Sequence, residues 1–152
     1  MKNDLFFMQR AYEQALLGFN KEEIPVGAIV VYKDEIISEA HNQSIAKTDP
    51  TSHAEIEAIR EAALKIGNYR LTDAAMYVTL EPCLMCCGAL IHARFDKVIF
   101  STKDQKSGAV ISNGNLLEAN FINHLVKFKQ GPLQKESSAL LKEFFKNKRS
   151  KA

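Results

Sequence analysis

The chain has 152 residues and a formal net charge of +2, enough length to bury a core without disulfides and too little charge to mark a partner by itself. Its three cysteines, Cys83, Cys86 and Cys87, are crowded behind Pro82; so tight and odd-numbered a cluster cannot staple distant segments, which excludes a secreted disulfide framework and points to metal or thiol chemistry in a reducing, cytoplasmic compartment. The N-terminal stretch MKNDLFFMQRAYEQALLGF carries charges through its apolar positions and lacks a small-residue cleavage site, so it does not read as a signal peptide, and no run reaches the ~18 apolar residues of a membrane span.

Leu5, Met8, Tyr12, Ala15, Leu16 and Phe19 recur at helical spacing and predict a first helix that buries this stripe. VGAIVVY, residues 26–32, is apolar on both faces, and IISEA follows a short KDE connection; together they predict a hairpin whose first strand is central. Asp49-Pro50 breaks the chain before Ile56, Ile59, Ala63 and Ile66, which mark a helix ending near Gly67. AMYVTL, residues 75–80, reads as a buried strand, Pro82 opens a third helix through about Arg94, and KVIF, residues 97–100, is another strand. After a polar loop, LVKFK at residues 125–129 alternates like an edge strand, and Gly131-Pro132 introduces a last helix with Leu140, Leu141, Phe144 and Phe145 on its inner face. Strands alternating with helices predict one α/β domain over residues 1–152, a sheet with helices on both faces. Lys142, Lys146, Lys148, Arg149 and Lys151, against Glu143 alone, make the end of the chain basic on a slightly acidic body. Taken by itself, a charged helix over about residues 133–149 fits a solvated face as well as a binding surface.

The cysteine cluster acquires chemistry from its position. Proline suits the first turn of a helix, and Cys83 and Cys86, three residues apart, share one helical face. The unpaired N–H groups and positive dipole end of that turn favour thiolates, the form that binds metal. Cys87 lies about 100° further round the helix and reads as a small buried apolar residue. His53 sits in the first turn of its own helix, after the Asp49-Pro50 break. One imidazole and two thiolates make an open zinc site that keeps a fourth position for water. Other readings stand beside it. Ser52 and Glu55 fit a capping box in which Glu55 only satisfies backbone donors, and a C-x-x-C pair also fits a redox couple or half of a closed structural zinc site. The closed site lacks a matching fourth ligand, since His41, His92 and His124 have no suitable spacing, and the redox couple leaves His53-Ala54-Glu55 unexplained.

His53-Ala54-Glu55 together with Pro82-Cys83-Leu84-Met85-Cys86 matches the H-x-E…P-C-x-x-C signature of the zinc-dependent nucleobase deaminases. Within that superfamily the chain resembles the bacterial tRNA-specific adenosine deaminases over nearly its whole length. The resemblance is carried by EIPVGAIVV, AHN ending at Asn42, DPTSHAEIEAIR, YVTLEPCLMCCGALIHAR, DQKSGA and the terminal FFKNKR. One departure is Val110-Ile111-Ser112-Asn113-Gly114, where a small Gly-Ser pair is expected.

The resemblance implies a three-layer α/β/α cytidine-deaminase-like fold with a central mixed five-stranded sheet, and hydrolytic deamination of adenosine to inosine at the wobble position of a tRNA anticodon. It implies one Zn²⁺ per subunit on His53, Cys83 and Cys86, with Glu55 as the proton shuttle. By the same resemblance Asn42 contacts the target nucleotide, Val26 and Ile24 line the base pocket, the Ala54 backbone helps read the base edge, and Asp104 joins the substrate contacts. Lys103, Lys106, Lys146, Lys148 and Arg149 would hold tRNA phosphates, and the enzyme would be a homodimer whose active site is completed across subunits. Two other functions fit parts of the sequence: a free-base or free-nucleoside deaminase acting on guanine or cytidine with the same zinc core, and a non-catalytic, zinc-stabilised RNA-binding protein in which Glu55 is only a cap.

Overall fold

The computed structural model describes residues 2–151. Its elements follow in the order α1 (Asp4–Asn20), β1 (Gly27–Tyr32), β2 (Glu35–His41), α2 (Ala54–Ile66), β3 (Ala75–Leu80), α3 (Leu84–His92), β4 (Lys97–Thr102), β5 (Lys127–Gln130) and α4 (Gln134–Lys151), with one 3-10 turn at Leu116–Glu118 that the sequence pattern did not reveal. The strands form a single mixed sheet in the order β2-β1-β3-β4-β5. β1 runs antiparallel to both β2 and β3, whereas β3, β4 and β5 are parallel. Lys33 and Asp34, both at positive φ, make the tight turn between β1 and β2, a backbone whose twist matches that of the strands it joins.

Strand alternation divides the core into two layers. Ala28, Val30, Met76, Val78, Val98 and Phe100 point to one face, where they pack with Ala54, Ala58 and Ala62 of α2 and Cys87, Leu90 and Ile91 of α3. Ile29, Val31, Ala75, Tyr77 and Ile99 point to the other and pack with Phe7, Met8 and Ala11 of α1. The last helix lies on the α1 side, with the Phe19 and Phe144 rings 6.2 Å apart. The architecture is therefore helix, sheet, helix, with the central first strand and the β5 edge expected from the sequence.

The helix faces differ from those read by side-chain size. On α1 the buried stripe is Phe7, Met8, Ala11, Ala15 and Gly18, while Leu5 and Leu16 are 44% and 39% exposed. On α2 it is Ala54, Ala58 and Ala62 together with Glu55 and Glu57, while Ile56, Ile59 and Ala63 are only half-buried and Ile66 is exposed. On α1 the physical reason is proximity: where Ala11 and Ala15 cross the start of β1, the helix lies so close to the sheet that only small residues fit between them. At Gly27 an added Cβ would stand 1.9 Å from the Ala11 carbonyl oxygen and 2.6 Å from the Ala15 nitrogen, both backbone atoms. On α4, Leu140 and Phe144 are buried, but Phe145 is 43% exposed and does not share their inner face.

The register places the functional loops at one end of the sheet. β1 begins where β2 ends, Gly27 pairing with His41; β3 and β4 end together, Leu80 opposite Thr102; and the Gly27 N–H donates to Thr79 Oγ1 at 3.1 Å, tying the two pairs. Because Gly27 lets α1 approach this end, Gly27→Ala should force helix and strand apart. Overpacking of this kind costs about 1–3 kcal/mol, so the melting temperature should fall by roughly 3 °C or more. A melting temperature equal to that of the wild type would show that the close approach contributes nothing.

Candidate metal and active site

Two helices start at this end of the sheet, and each begins with a side chain that forgoes its usual task. His53 is the N-cap of α2 and Cys83 the N-cap of α3, both in extended backbone, and neither makes a side-chain capping hydrogen bond. They turn to each other: Cys83 Sγ lies 3.7 Å from His53 Nδ1, and Cys86 Sγ 3.6 Å from the same nitrogen. The donor atoms of all three residues lie within 4.8 Å of one another. The helix α3 begins after Cys83, two residues later than the proline suggests, so Pro82 precedes the N-cap and delivers Cys83 into it.

A soft, borderline donor set of two sulfurs and one imidazole nitrogen suits zinc, and three protein donors leave room for water. The thiols are unequal. Cys83 is drawn down to about 4, chiefly because Cys86 donates to its sulfur, with His53 helping against burial; Cys86, as that donor and in a buried position, is raised. A metal requires both as thiolates and so displaces that proton. The hydrogen bond with Cys83 raises the His53 imidazole against the effect of burial. Cys87 packs in the core, its thiol pushed up by burial to about 12, and it lies outside the donor group.

Glu55 is the second residue of α2, two positions past the N-cap. The capping box expected as an alternative is absent, because His53 and not Ser52 occupies the cap position, and Ser52 Oγ is buried without a partner. Although only 4% exposed, Glu55 lines the cleft. Burial pushes its carboxyl up to about 7, its own backbone N–H and nearby His53 opposing the shift only in part. A carboxyl poised near neutrality and not spent on capping can both take and give a proton.

The cleft above these residues has a volume of about 800 Å³. Val26, Ile24 and Asn42 line it, as do Asp104, Lys103 and Lys106 from the loop after β4 and Lys142, Phe145 and Arg149 from α4. Asn42 is anchored through its backbone, its N–H donating to the Val26 carbonyl at 3.1 Å and its own carbonyl 2.9 Å from His41 Nδ1. Ala54 is fully buried in the core and is not among the residues that line the cleft. Lys146 and Lys148 are not among the lining residues; the Lys148 ammonium lies over the Phe144 ring at 5.5 Å.

The sequence pattern missed two buried carboxylates that build the cleft walls. Glu23 accepts from the N–H groups of Ile45 and Ala46 at 3.1 and 2.8 Å. Glu81 accepts from Asp104, Val110, Ile111 and Ser112; burial alone would raise its pKa, but these donors outweigh it and hold the carboxyl below its ordinary value. The available signal was an acid within an otherwise apolar run, in EIPVGA and in TLEPC.

The family model for the cytidine and deoxycytidylate deaminase zinc-binding region matches residues 1–102. A tRNA-specific adenosine deaminase of Aquifex aeolicus is 48% identical over 145 residues, 95% of each chain. A solved structure from work on A-to-I editing by tRNA:A34 deaminases at the wobble position superimposes with a TM-score of 0.87 at 34% identity, covering 90% of this chain and 99% of the other. A guanine deaminase of Bacillus subtilis gives a TM-score of 0.66 at 30% identity over 96% of this chain and 95% of its own. The family match spans both halves of the donor cluster, and the chain belongs to the cytidine and deoxycytidylate deaminase zinc-binding family.

Proposed function

We propose that this protein hydrolyses adenosine to inosine at the wobble position of a tRNA anticodon, with His53, Cys83 and Cys86 holding one zinc ion per chain and Glu55 moving the protons. The observation that carries the chemistry is Glu55: buried, free of any capping role, and open to the cleft beside the three donors. Zinc, when bound, supplies a Lewis acid that lowers the pKa of water toward ~7. Glu55 takes a proton from the attacking water and delivers it to N1 of the adenine as C6 is hydrated. It then takes the proton of the new C6 hydroxyl and passes it to the departing amine, so that the C6–N bond breaks, the C6 carbonyl forms, and ammonia leaves inosine behind. Asn42 orients the nucleotide, Val26 and Ile24 supply an apolar floor, and Asp104 joins the substrate contacts. An anticodon loop is single-stranded, so splaying out one base costs less than in a duplex.

The relatives named tRNA-specific adenosine deaminases support the substrate, and so does the basic lining of the cleft, Lys103, Lys106, Lys142 and Arg149. A free-base deaminase of the guanine type shares the fold, but a neutral base has no use for four cations. A non-catalytic RNA-binding protein would need Glu55 as a cap, a role it does not fill. The protein acts as one deaminase domain and as a homodimer, for which exposed Leu84, beside Cys83, offers an apolar contact. Its place is the cytoplasm, where tRNA is found and three free thiols stay reduced; no helix among the described residues is long and apolar enough to cross a membrane.

Incubated with total tRNA, the purified protein should convert adenosine to inosine at anticodon wobble positions, read by sequencing. Ammonia released from free guanine, cytidine or adenosine, with no change in tRNA, would favour the free-base reading. Metal analysis should find about one zinc per chain, lost in His53→Ala and Cys83→Ala and kept in Cys87→Ala. Glu55→Ala should keep zinc and tRNA binding while the rate falls by ~10² to 10⁴; activity within a few-fold of wild type would reduce Glu55 to a structural residue. For the phosphate contacts, Lys142→Gln with Arg149→Gln should make the slope of log affinity against log salt shallower by ~0.7 per lost contact. Lys146→Gln with Lys148→Gln is the comparison: an equal loss there would extend the phosphate track along the outside of α4.

A further inference from the structure

The loop after β4 forms one wall of the cleft, and its shape is dictated from inside by a single carboxylate. Glu81 is 2% exposed. Its Oε2 accepts from the N–H groups of Val110, Ile111 and Ser112 at 3.0, 2.7 and 3.0 Å. Its Oε1 accepts from the Asp104 N–H at 3.1 Å and from the Ser112 hydroxyl. Five donors thus fill a group with about four lone-pair sites, and no lysine or arginine pairs with it among the described residues. The charge is balanced by four backbone N–H groups and one hydroxyl, an anion nest turned inward.

The loop also closes over the carboxylate from the side. At Gly108 an added Cβ would stand 2.3 Å from Glu81 Cδ and 2.6 Å from the Asp104 carbonyl oxygen, so no larger residue fits while Glu81 is in place. Asp104 then folds the cleft-facing turn, its Oδ1 accepting from the Lys106 and Ser107 N–H groups at 3.1 Å each, and the Ala109 N–H donates to the Pro82 carbonyl at 2.9 Å. Residues 103–107 line the cleft, while Val110 is buried in the core. Glu81 itself is two residues before Cys83. One short segment therefore carries both a metal donor and the anchor of the wall that faces it.

We propose that Glu81 is a positioning residue: its carboxylate sets where the 103–107 wall stands relative to the donor cluster, and so governs binding of the RNA rather than the chemistry at the base. The proposal rests on the deaminase reading above. It also gives Ser112, within the stretch where the sequence departs from the expected Gly-Ser pair, a defined task as the one side-chain donor in the ring.

The test uses full-length Glu81→Gln and Ser112→Ala, measured for zinc content, for amide hydrogen exchange in residues 104–112, and for kcat and KM on an anticodon stem-loop. Glutamine keeps the shape of the side chain but turns an amide donor toward N–H groups. Glu81→Gln should retain zinc, speed exchange at residues 110–112 by about tenfold or more, as loss of a charge-assisted hydrogen bond does, and raise KM by a similar factor with kcat changed less than about threefold. Ser112→Ala should shift exchange and KM the same way by a smaller factor, and it carries the test if Glu81→Gln does not fold. Unchanged loop exchange in an active enzyme would overturn the role of Glu81, as would a fall in kcat at constant KM or a loss of zinc. Wild-type protein that leaves the stem-loop unmodified would instead overturn the deaminase reading, a result the exchange data keep distinct.

Discussion

Everything about this molecule's chemistry depends on two helix N-termini being brought to one point with their cap side chains facing each other. An ordinary N-cap spends its side chain on the first free N–H groups of the helix, and omitting it costs about 1 kcal/mol. Both α2 and α3 omit it: His53 and Cys83 hold extended cap backbone without a capping bond. The sheet makes the meeting possible. Because β1 is antiparallel to β2 and β3 while β3 is parallel to β4, the start of β1 and the ends of β2, β3 and β4 share one edge, and the chain entering each helix must pass there. A local cost retained at two adjacent positions is what a site built for function, not for stability, looks like.

Four acids are buried around this edge, and their partners separate structure from reactivity. Glu23 and Glu81 are held by loop N–H groups, and Glu57 by the Lys47 ammonium at 2.9 Å. Glu55 has neither a cation nor a loop; its surroundings are His53 and the two sulfurs. A buried carboxylate ringed by donors, as Glu81 is, is held in its charged form, whereas one whose donors do not offset its burial is displaced toward neutrality and becomes able to exchange protons. Burial raises the Glu55 carboxyl, and its few partners offset that only in part, whereas the loop donors of Glu81 outweigh its burial.

The strands, their order of hydrophobicity and the spacing of His53, Cys83 and Cys86 were legible in the sequence because each is a local pattern. The helix faces were legible only in part, with Met8 and Ala15 of the expected α1 stripe buried. Ala11 and Gly18 on α1, and Ala54, Ala58 and Ala62 on α2, also face the core, but small residues carry a weak hydrophobic signal, and Leu5, Leu16 and Ile66 outweighed them while remaining exposed. The Ser52-Glu55 pair has the spacing of a capping box, and only the position of the helix start, set by the contact of His53 with the cysteines, shows that no box forms. Glu81 was illegible for another reason: its five donors come from residues 23 to 31 positions away, and no local pattern announces them.

The division of labour across the cleft follows from which layer supplies each part. The donor cluster and Glu55 come from the α2 and α3 side of the sheet, where alternation packs large strand residues against small helix residues and leaves little room to move. Lys142, Phe145 and Arg149 come from α4 on the opposite side, at helical spacing along one partly exposed face. On the proposed reading, charges there would meet phosphates that do not change during the reaction, and so would strengthen ground state and transition state alike. On the same reading, Glu55 would meet the atoms whose protonation changes, and its contribution would therefore be differential. Extra basic residues on α4 would tighten RNA binding without speeding conversion of bound RNA, whereas the rate of that step is set within the few residues between the two helix caps.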